Sequence, residues 1–193
     1  QIADQKLLYE DYKMVPYCPR CGTPLSSHEV AQGYKTVEDP GVFIALPVVQ
    51  DAKAAALKLE AGAKFLVWTT TPWTIPSNRG VVYHQDISYG VYEVTAAPED
   101  NWVKTGDRIL LADKQAASVL EKARVESFAR ISDAGDLSNT SLSHPLAGME
   151  GSDGEWDEPR DFRAAPFVTE EDGTGFVHCA PSHGMDEFEL YRD

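Results

Sequence analysis

The chain has 193 residues, of which 42% are hydrophobic and 10% aromatic, so it is long enough for one large globular domain or two small ones. Its formal net charge of −14 argues against broad binding to nucleic-acid phosphates, which requires a basic surface, but it permits a narrow contact with one nucleotide end. No apolar run approaches the roughly 20 residues that a membrane helix needs, and the N-terminus lacks the basic and apolar parts of a signal peptide.

Two of the three cysteines stand in Cys18-Pro19-Arg20-Cys21, directly before Gly22. This spacing is typical of a zinc knuckle, in which a tight turn directs two thiolates at one ion. Structural zinc needs four ligands, whereas Cys179 is the only other cysteine and His28 is badly spaced, so the pattern predicts half a site. The alternative is a pair of unliganded surface thiols. The odd count favours a reducing compartment over a disulfide framework.

Short strands separated by turn signals dominate the rest of the chain. Strands are predicted at 28–31, 34–37, 41–49, 64–68, 81–84, 89–94, 107–112, 124–131, 167–169 and 175–178, with the last two forming a hairpin. Helices are predicted at 51–60, at 114–123 and from His183 onward, and 133–163 is predicted to be loop-rich. Many short strands and few helices predict a β-rich α/β domain, β-barrel-like, with a few short peripheral helices.

The densest polar stretch follows the apolar run 64–68, where Trp68–Asn78 begins with four threonines and two tryptophans in seven residues. Pro72 and Pro76 interrupt any regular ladder because proline lacks the backbone donor. A buried strand would therefore deliver hydroxyl groups to an irregular turn, which is a common way to build a site. The alternative is a β-edge with threonines on its solvent face.

A second dense stretch runs from Gly173 to Phe188. His178 ends an apolar strand, so it is either a satisfied core histidine or a group presented to a pocket. Asp186 and Glu187 fall in the first turn of the predicted helix, where the helix dipole favours acidic residues; the functional alternative is a carboxylate that binds an amine. Cys179 is not expected to form a nucleophilic pair with His178, because neighbouring residues on a strand face opposite sides.

Together, these stretches resemble the two signatures of the editing domain of isoleucyl-tRNA synthetase, a class I enzyme, in which the domain is also called the connective-peptide insertion. Residues 68–79 resemble the threonine-rich signature and 173–184 the second one. The resemblance divides the chain into an entering segment at 1–40 with the CxxC half-knuckle and an editing core at 41–193, as part of a larger synthetase. His178 favours the isoleucyl type, because the valyl family typically has lysine there.

The resemblance implies a domain that hydrolyses the ester of mischarged valyl-tRNA(Ile) and excludes isoleucine by size. The alternatives are a valyl-type editing domain acting on threonyl esters and a non-catalytic tRNA-binding β-domain.

The family's ATP-binding motifs are absent, so ATP and magnesium would belong to the rest of the enzyme and editing would need no cofactor. A second cysteine pair from beyond the insertion would complete a zinc site. The implied partners are the 3′ end of tRNA(Ile) and the rest of the synthetase; the chain is expected to be monomeric and cytoplasmic, without a membrane.

By the same resemblance, Thr69, Thr70 and Thr71 contact the terminal adenosine and the ester and hold the attacking water. His178 walls the pocket against the larger side chain, and Trp73 lines the pocket or supports the adenosine. Asn78 lies at another position that the family implicates in the site.

The chain departs from the family at the residue that holds the substrate's α-amino group. Glu187 stands where the family usually has aspartate, nine residues after His178. Either Glu187 takes that role or Asp186 does so through a small shift of the turn; the register favours Glu187.

Overall fold

The structure is a computed structural model that describes residues 2–49, 54–55, 59 and 62–192. Its first element is a two-stranded antiparallel sheet of β1 (Tyr17–Cys18) and β2 (Thr23–Pro24), followed by the helix α1 (Ser27–Ala31).

The strand predicted at 28–31 is wrong because a capping box starts a helix there: Ser26 Oγ accepts the Glu29 N–H, and Glu29 accepts the Ser26 N–H. The strand predicted at 34–37 is also wrong, since Tyr34 and Val37 are exposed and unpaired among the described residues.

A five-stranded sheet forms the larger half of the fold. Its strands in chain order are β3 (Val42–Pro47), β4 (Lys64–Thr69), β6 (Tyr89–Ala96), β7 (Arg108–Ala112) and β8 (Ser127–Asp133). Their spatial order is β3-β4-β7-β6-β8, and only the β4–β7 pair is parallel. The helix α2 (Asp113–Lys122) follows β7 directly, close to the predicted bounds.

A three-stranded sheet carries the second signature. Its strands β5 (Gly80–Tyr83), β9 (Asp161–Ala164) and β10 (Val177–Cys179) lie in the order β10-β5-β9, with β5–β9 parallel and β10–β5 antiparallel. The predicted hairpin of 167–169 with 175–178 is therefore wrong. β10 pairs with the buried strand β5 instead, while Val168 packs as a loop residue against Val82 and Cys179.

The core lies where the two larger sheets meet. Phe65 packs against Phe162 and Phe176, with ring centroids 4.6 and 5.1 Å apart, and Tyr89 stacks on Phe176. Leu142 forms isolated antiparallel β-bridges with Val48 and with Arg160. These single-residue pairings link the edges of the two sheets. The predicted β-rich α/β class with few short helices is confirmed, although no sheet of the described residues closes into a barrel.

The connections after β4 and β10 position the two signatures. From β4 the chain turns through a 3₁₀ helix (Pro72–Ser77) into β5, and β10 pairs with β5 and leads to the helix α3 (Met185–Tyr191).

The predicted helix at 51–60 falls largely outside the described residues. Apart from the last residue of β8, the loop-rich stretch 133–163 contains only the short 3₁₀ helix Leu137–Asn139 and the start of β9. No helix in the described ranges is long and apolar enough to cross a membrane.

Candidate functional site

The three successive threonines form a tight turn at the end of β4. Thr69 is buried, and its Oγ1 accepts the Thr71 N–H at 3.0 Å and lies 3.2 Å from Thr71 Oγ1. Thr70 is half-buried, and its hydroxyl makes no hydrogen bond within the described part of the chain, while Thr71 is exposed. Thr69 thus holds the turn in shape. The Thr70 hydroxyl is left for a ligand, and the exposed Thr71 hydroxyl shares its hydrogen bonding with Thr69.

A hydrogen-bond chain joins this turn to His178. Thr74 Oγ1 donates to the Thr71 carbonyl oxygen at 2.8 Å and lies 2.9 Å from His178 Nε2. On the other side of the ring, Asn78 Nδ2 lies 3.1 Å from His178 Nδ1 and donates to the Gly80 carbonyl oxygen at 2.9 Å. The Gly80 carbonyl requires a donor, so the amide nitrogen faces it and also donates to Nδ1. His178 is therefore protonated at Nε2, which donates to Thr74.

The surroundings of His178 keep its ring neutral. The side chain is 8% exposed, and burial, together with nearby His183 and His144, lowers its pKa from 6.5 to about 4. Both ring nitrogens already have partners. A group in this state is poorly placed to take a proton from water, and its two hydrogen bonds hold the ring in place.

The structure distinguishes the two carboxylates of helix α3. Glu187 is half-buried, and its Oε2 accepts the Ala180 N–H at 2.9 Å, directly beyond β10. Burial raises the pKa of Glu187, while the Ala180 hydrogen bond and His183 oppose that shift. A side chain at Gly184 would collide with the Glu187 carboxyl group. Asp186 is exposed, so only Glu187 is held against the strand that carries His178.

Trp73 stands on the 3₁₀ helix with 72% of its surface exposed. Its neighbour in the motif, Trp68, is 39% exposed and covers Gly41, where a side chain would collide with the indole. An exposed indole beside hydroxyl groups can stack on a nucleic-acid base. Trp73 is therefore accessible to a ligand, whereas Trp68 is partly used in packing.

Two supporting residues were not predicted from the sequence. His144 is buried, with Nε2 2.9 Å from the Ile75 carbonyl oxygen, and Trp156 Nε1 donates to the Pro76 carbonyl oxygen at 3.0 Å. Their rings stack at 5.7 Å. They hold the last turn of the 3₁₀ helix from 69 and 80 residues away, a separation that no local pattern reveals.

The cysteine knuckle supplies only part of a metal site. The Cys21 N–H donates to Cys18 Sγ at 3.2 Å, and hydrogen bonding by the Cys21 side chain and backbone lowers the pKa of Cys18. Cys179 is buried, which raises its pKa, and all three thiols are free. No group of three or more metal-ligating side chains occurs in the described ranges. The residues described do not complete the four ligands that zinc requires.

A cavity of about 540 Å³ opens beside Asn78 but does not reach the threonine turn or His178. It is lined by Ser77–Arg79, Trp156 and Arg160, among others, and by Tyr12–Met14 from the N-terminal segment. The hydrogen-bonded groups lie at the threonine turn, which is therefore the candidate site, and the cavity is a separate feature beside it.

No family model matches the chain. Three curated relatives that it resembles are isoleucine–tRNA ligases. The protein of Ruegeria pomeroyi is 48% identical over 96% of this chain, that of Caulobacter vibrioides 41% over 95%, and that of Thermus thermophilus 35% over 99%. The chain spans 16 to 19% of the length of these relatives.

Solved structures support the fold. GlLeuRS-CP1 matches 80% of this chain and 59% of its own length with a TM-score of 0.60 at 17% identity. The P. falciparum cytosolic leucyl-tRNA synthetase editing domain matches 74% of this chain and 53% of its own length with a TM-score of 0.51 at 8% identity.

Proposed function

The chain belongs to the isoleucine–tRNA ligase family, of whose members it spans about a fifth, and we propose that it acts as their post-transfer editing domain. In this proposal it hydrolyses the ester of valyl-tRNA(Ile) and excludes the isoleucyl ester by size. The observation that carries the proposal is the hydrogen-bond chain from Thr71 through Thr74 to His178 and Asn78, because it joins both signature stretches in one site.

The reaction depends more on a positioned water molecule and a polarised ester carbonyl than on a strong base. Water attacks the carbonyl carbon, the bond to the ribose oxygen breaks, and that oxygen takes a proton as free valine leaves. The scissile bond is an activated ester, so hydroxyl and backbone donors that stabilise the developing oxyanion are sufficient. The neighbouring ribose hydroxyl, rather than a protein base, assists the water. No covalent intermediate forms.

The threonine turn supplies the groups that touch the substrate. Thr70 and Thr71 offer hydroxyls to the terminal adenosine, the ester and the attacking water, and Thr69 keeps the turn in shape through its bond to the Thr71 N–H. Trp73 is exposed enough to support the adenosine base.

His178 sets the size limit in this proposal. Its ring is neutral and held at both nitrogens, so it cannot move aside without breaking two hydrogen bonds. One additional methylene on the substrate therefore meets a fixed wall rather than a mobile side chain. The same bonds argue for a steric role of His178 rather than proton transfer.

Glu187 is the proposed anchor of the substrate's α-amino group. It is half-buried against Ala180, and one of its two carboxylate oxygens accepts that backbone N–H. The other oxygen can accept a hydrogen bond from an ammonium group. Asp186 lies in the same helical turn but is exposed, so an ion pair there would be weaker.

The wider setting is also a proposal. The acceptor end of tRNA(Ile) and the rest of the synthetase are the partners, the location is the cytoplasm, and editing uses no cofactor. Residues 1–40 form the entering segment and 41–193 the editing core. Cys18 and Cys21 supply two zinc thiolates, with the remaining ligands coming from outside the described residues.

Ester hydrolysis by the purified chain tests this function. Valyl, threonyl and isoleucyl esters of a short RNA ending in adenosine are compared, and we expect rapid hydrolysis of the valyl ester only. Thr70→Val should slow it about 10- to 100-fold because a hydroxyl that stabilises the transition state is lost. The matched control is Thr36→Val, in the irregular stretch after α1. Preference for the threonyl ester would favour a valyl-type domain; RNA binding without hydrolysis would favour a non-catalytic domain.

A further inference from the structure

The cavity beside Asn78 gathers positive charge in an otherwise acidic protein. Among the described residues, its lining includes four cationic side chains and a single carboxylate, that of Glu155, whereas the whole chain has a net charge of −14. The cationic residues are Lys13, Arg79, Arg160 and Arg192.

Strand pairing forces two of these arginines together. β5 and β9 run parallel with Gly80 opposite Asp161, so Arg79 and Arg160, the preceding residues, enter the sheet side by side. Their proximity is visible in the pKa of Arg160, which burial lowers first and the charge of Arg79 lowers further. Like charges placed side by side are costly unless an anion lies between them.

The described carboxylates compensate this arginine pair only in part: the charge of Glu158 raises the pKa of Arg160, against burial and Arg79, but Glu158 forms no ion pair with it in the described ranges. Arg160 is 6% exposed; its Nη1 donates to the Glu158 carbonyl oxygen at 2.8 Å, and its buried Nε has no partner among the residues described. Arg79 forms no ion pair in the described ranges. The nearby Asp161 carboxylate is already engaged by Arg163 at 2.9 Å and by the Tyr191 hydroxyl at 2.8 Å. A buried guanidinium N–H without an acceptor is expected to have one in the liganded state.

We propose that Arg79 and Arg160 bind a phosphodiester of single-stranded RNA in this cavity. Guanidinium groups match phosphate oxygens in a two-pronged geometry, and a cavity of about 540 Å³ has room for a nucleotide. Trp156 supplies an aromatic surface in the same cavity.

Chain connectivity links this cavity to the threonine site. Asn78 lines the cavity and also holds His178, and Arg79 is the next residue. A strand whose terminal adenosine lies at the threonine turn would therefore present a backbone phosphate to the arginine pair. This inference rests on the proposed function, since it takes the RNA strand to be the one that carries the ester.

Binding measurements with the purified chain test the proposal. The probes are the dinucleotide cytidylyl-adenosine, which has one phosphodiester, adenosine, which has none, and inorganic phosphate. We expect the dinucleotide to bind at least tenfold more tightly than adenosine, with an affinity that falls as salt rises. Arg79→Gln should remove most of that advantage. Arg160→Lys keeps the charge but loses the two-pronged guanidinium geometry, so it should reduce the advantage. Lys122→Gln, which removes one charge from a residue outside the cavity lining, should leave it intact.

Equal affinities for dinucleotide and adenosine, or an unchanged advantage in both arginine variants, would overturn the proposal. Inorganic phosphate that binds as tightly as the dinucleotide would also overturn it, because the site would then be a free-anion site. The ester assay on the wild-type chain separates this outcome from failure of the proposed function. Ester hydrolysis without a phosphate advantage would refute the arginine site alone; a phosphate advantage without hydrolysis would refute the editing role alone.

Discussion

Asn78 and His178, 100 residues apart in the chain, are joined by a 3.1 Å hydrogen bond from the amide nitrogen to Nδ1. Because the same amide donates to the Gly80 carbonyl, its orientation determines the tautomer of the histidine. The ring is left with its proton on Nε2, which faces Thr74. Asn78 therefore acts on the site through His178.

The first prediction concerns the protonation of His178. Nitrogen-detected NMR should find the Nε2–H tautomer, with a pKa of about 4. The unfolded chain binds this proton near pH 6.5 and the folded chain only near 4, so stability falls as the pH drops through that window. The loss should reach about 2 to 3 kcal/mol at the acidic end.

Urea unfolding as a function of pH provides the control for this prediction. His178→Gln should lack this part of the acid-induced loss, because glutamine does not titrate. A proton found on Nδ1 at neutral pH, or the same pH slope in the variant, would contradict the assigned network.

The second prediction concerns the support of the 3₁₀ helix by Trp156. Trp156→Phe keeps an aromatic ring against His144 but loses the hydrogen bond to Pro76, and should cost about 1 kcal/mol of unfolding free energy. Trp156→Ala also loses the stacking and should cost about 2 kcal/mol or more. Both are measured by urea unfolding, with the exposed Trp102→Phe as the matched control. Equal stability of Trp156→Ala and the wild type would show that the contact does not support the helix.

The third prediction separates the two carboxylates. Glu187→Gln should slow hydrolysis of the valyl ester by about 10- to 100-fold, because the ammonium group loses a charged partner. Asp186→Asn, the matched neutralisation one residue away, should retain nearly full activity. The rates are measured at saturating and limiting substrate to separate binding from chemistry. Full activity of both variants would refute a carboxylate anchor, and the reverse order would assign it to Asp186.

Local sequence patterns were sufficient to predict most of the elements that form the core. Alternating or continuous apolar runs predicted the strands that became β3 to β8, and the helix after β7 followed from composition and period. The capping box at Ser26 and Glu29 was a readable signal that overrules the strand predicted there. The hairpin at 167–178 failed for a different reason: β10 gains more by pairing with buried β5 than with its sequence neighbour.

The site could be predicted only in part from the sequence, because some of its contacts also join residues far apart in the chain. Thr69–Thr71, Asn78 and His178 were predicted as site residues, and the structure joins the two stretches through Thr74. His144 and Trp156 were missed because they act from a loop without periodicity. The arginine pair depends on the register of β5 and β9, which sequence periodicity does not reveal.

The most direct test of the editing proposal is the ratio of valyl to isoleucyl ester hydrolysis in the wild type and in His178→Ala. The proposal predicts that the wild type hydrolyses the valyl ester at least 100-fold faster. It also predicts that the alanine variant, with the wall removed, gains hydrolysis of the isoleucyl ester while still acting on the valyl ester; His178→Gln, which keeps some bulk, should fall between. Unchanged discrimination in a folded His178→Ala protein would contradict the central claim that this histidine sets the size limit.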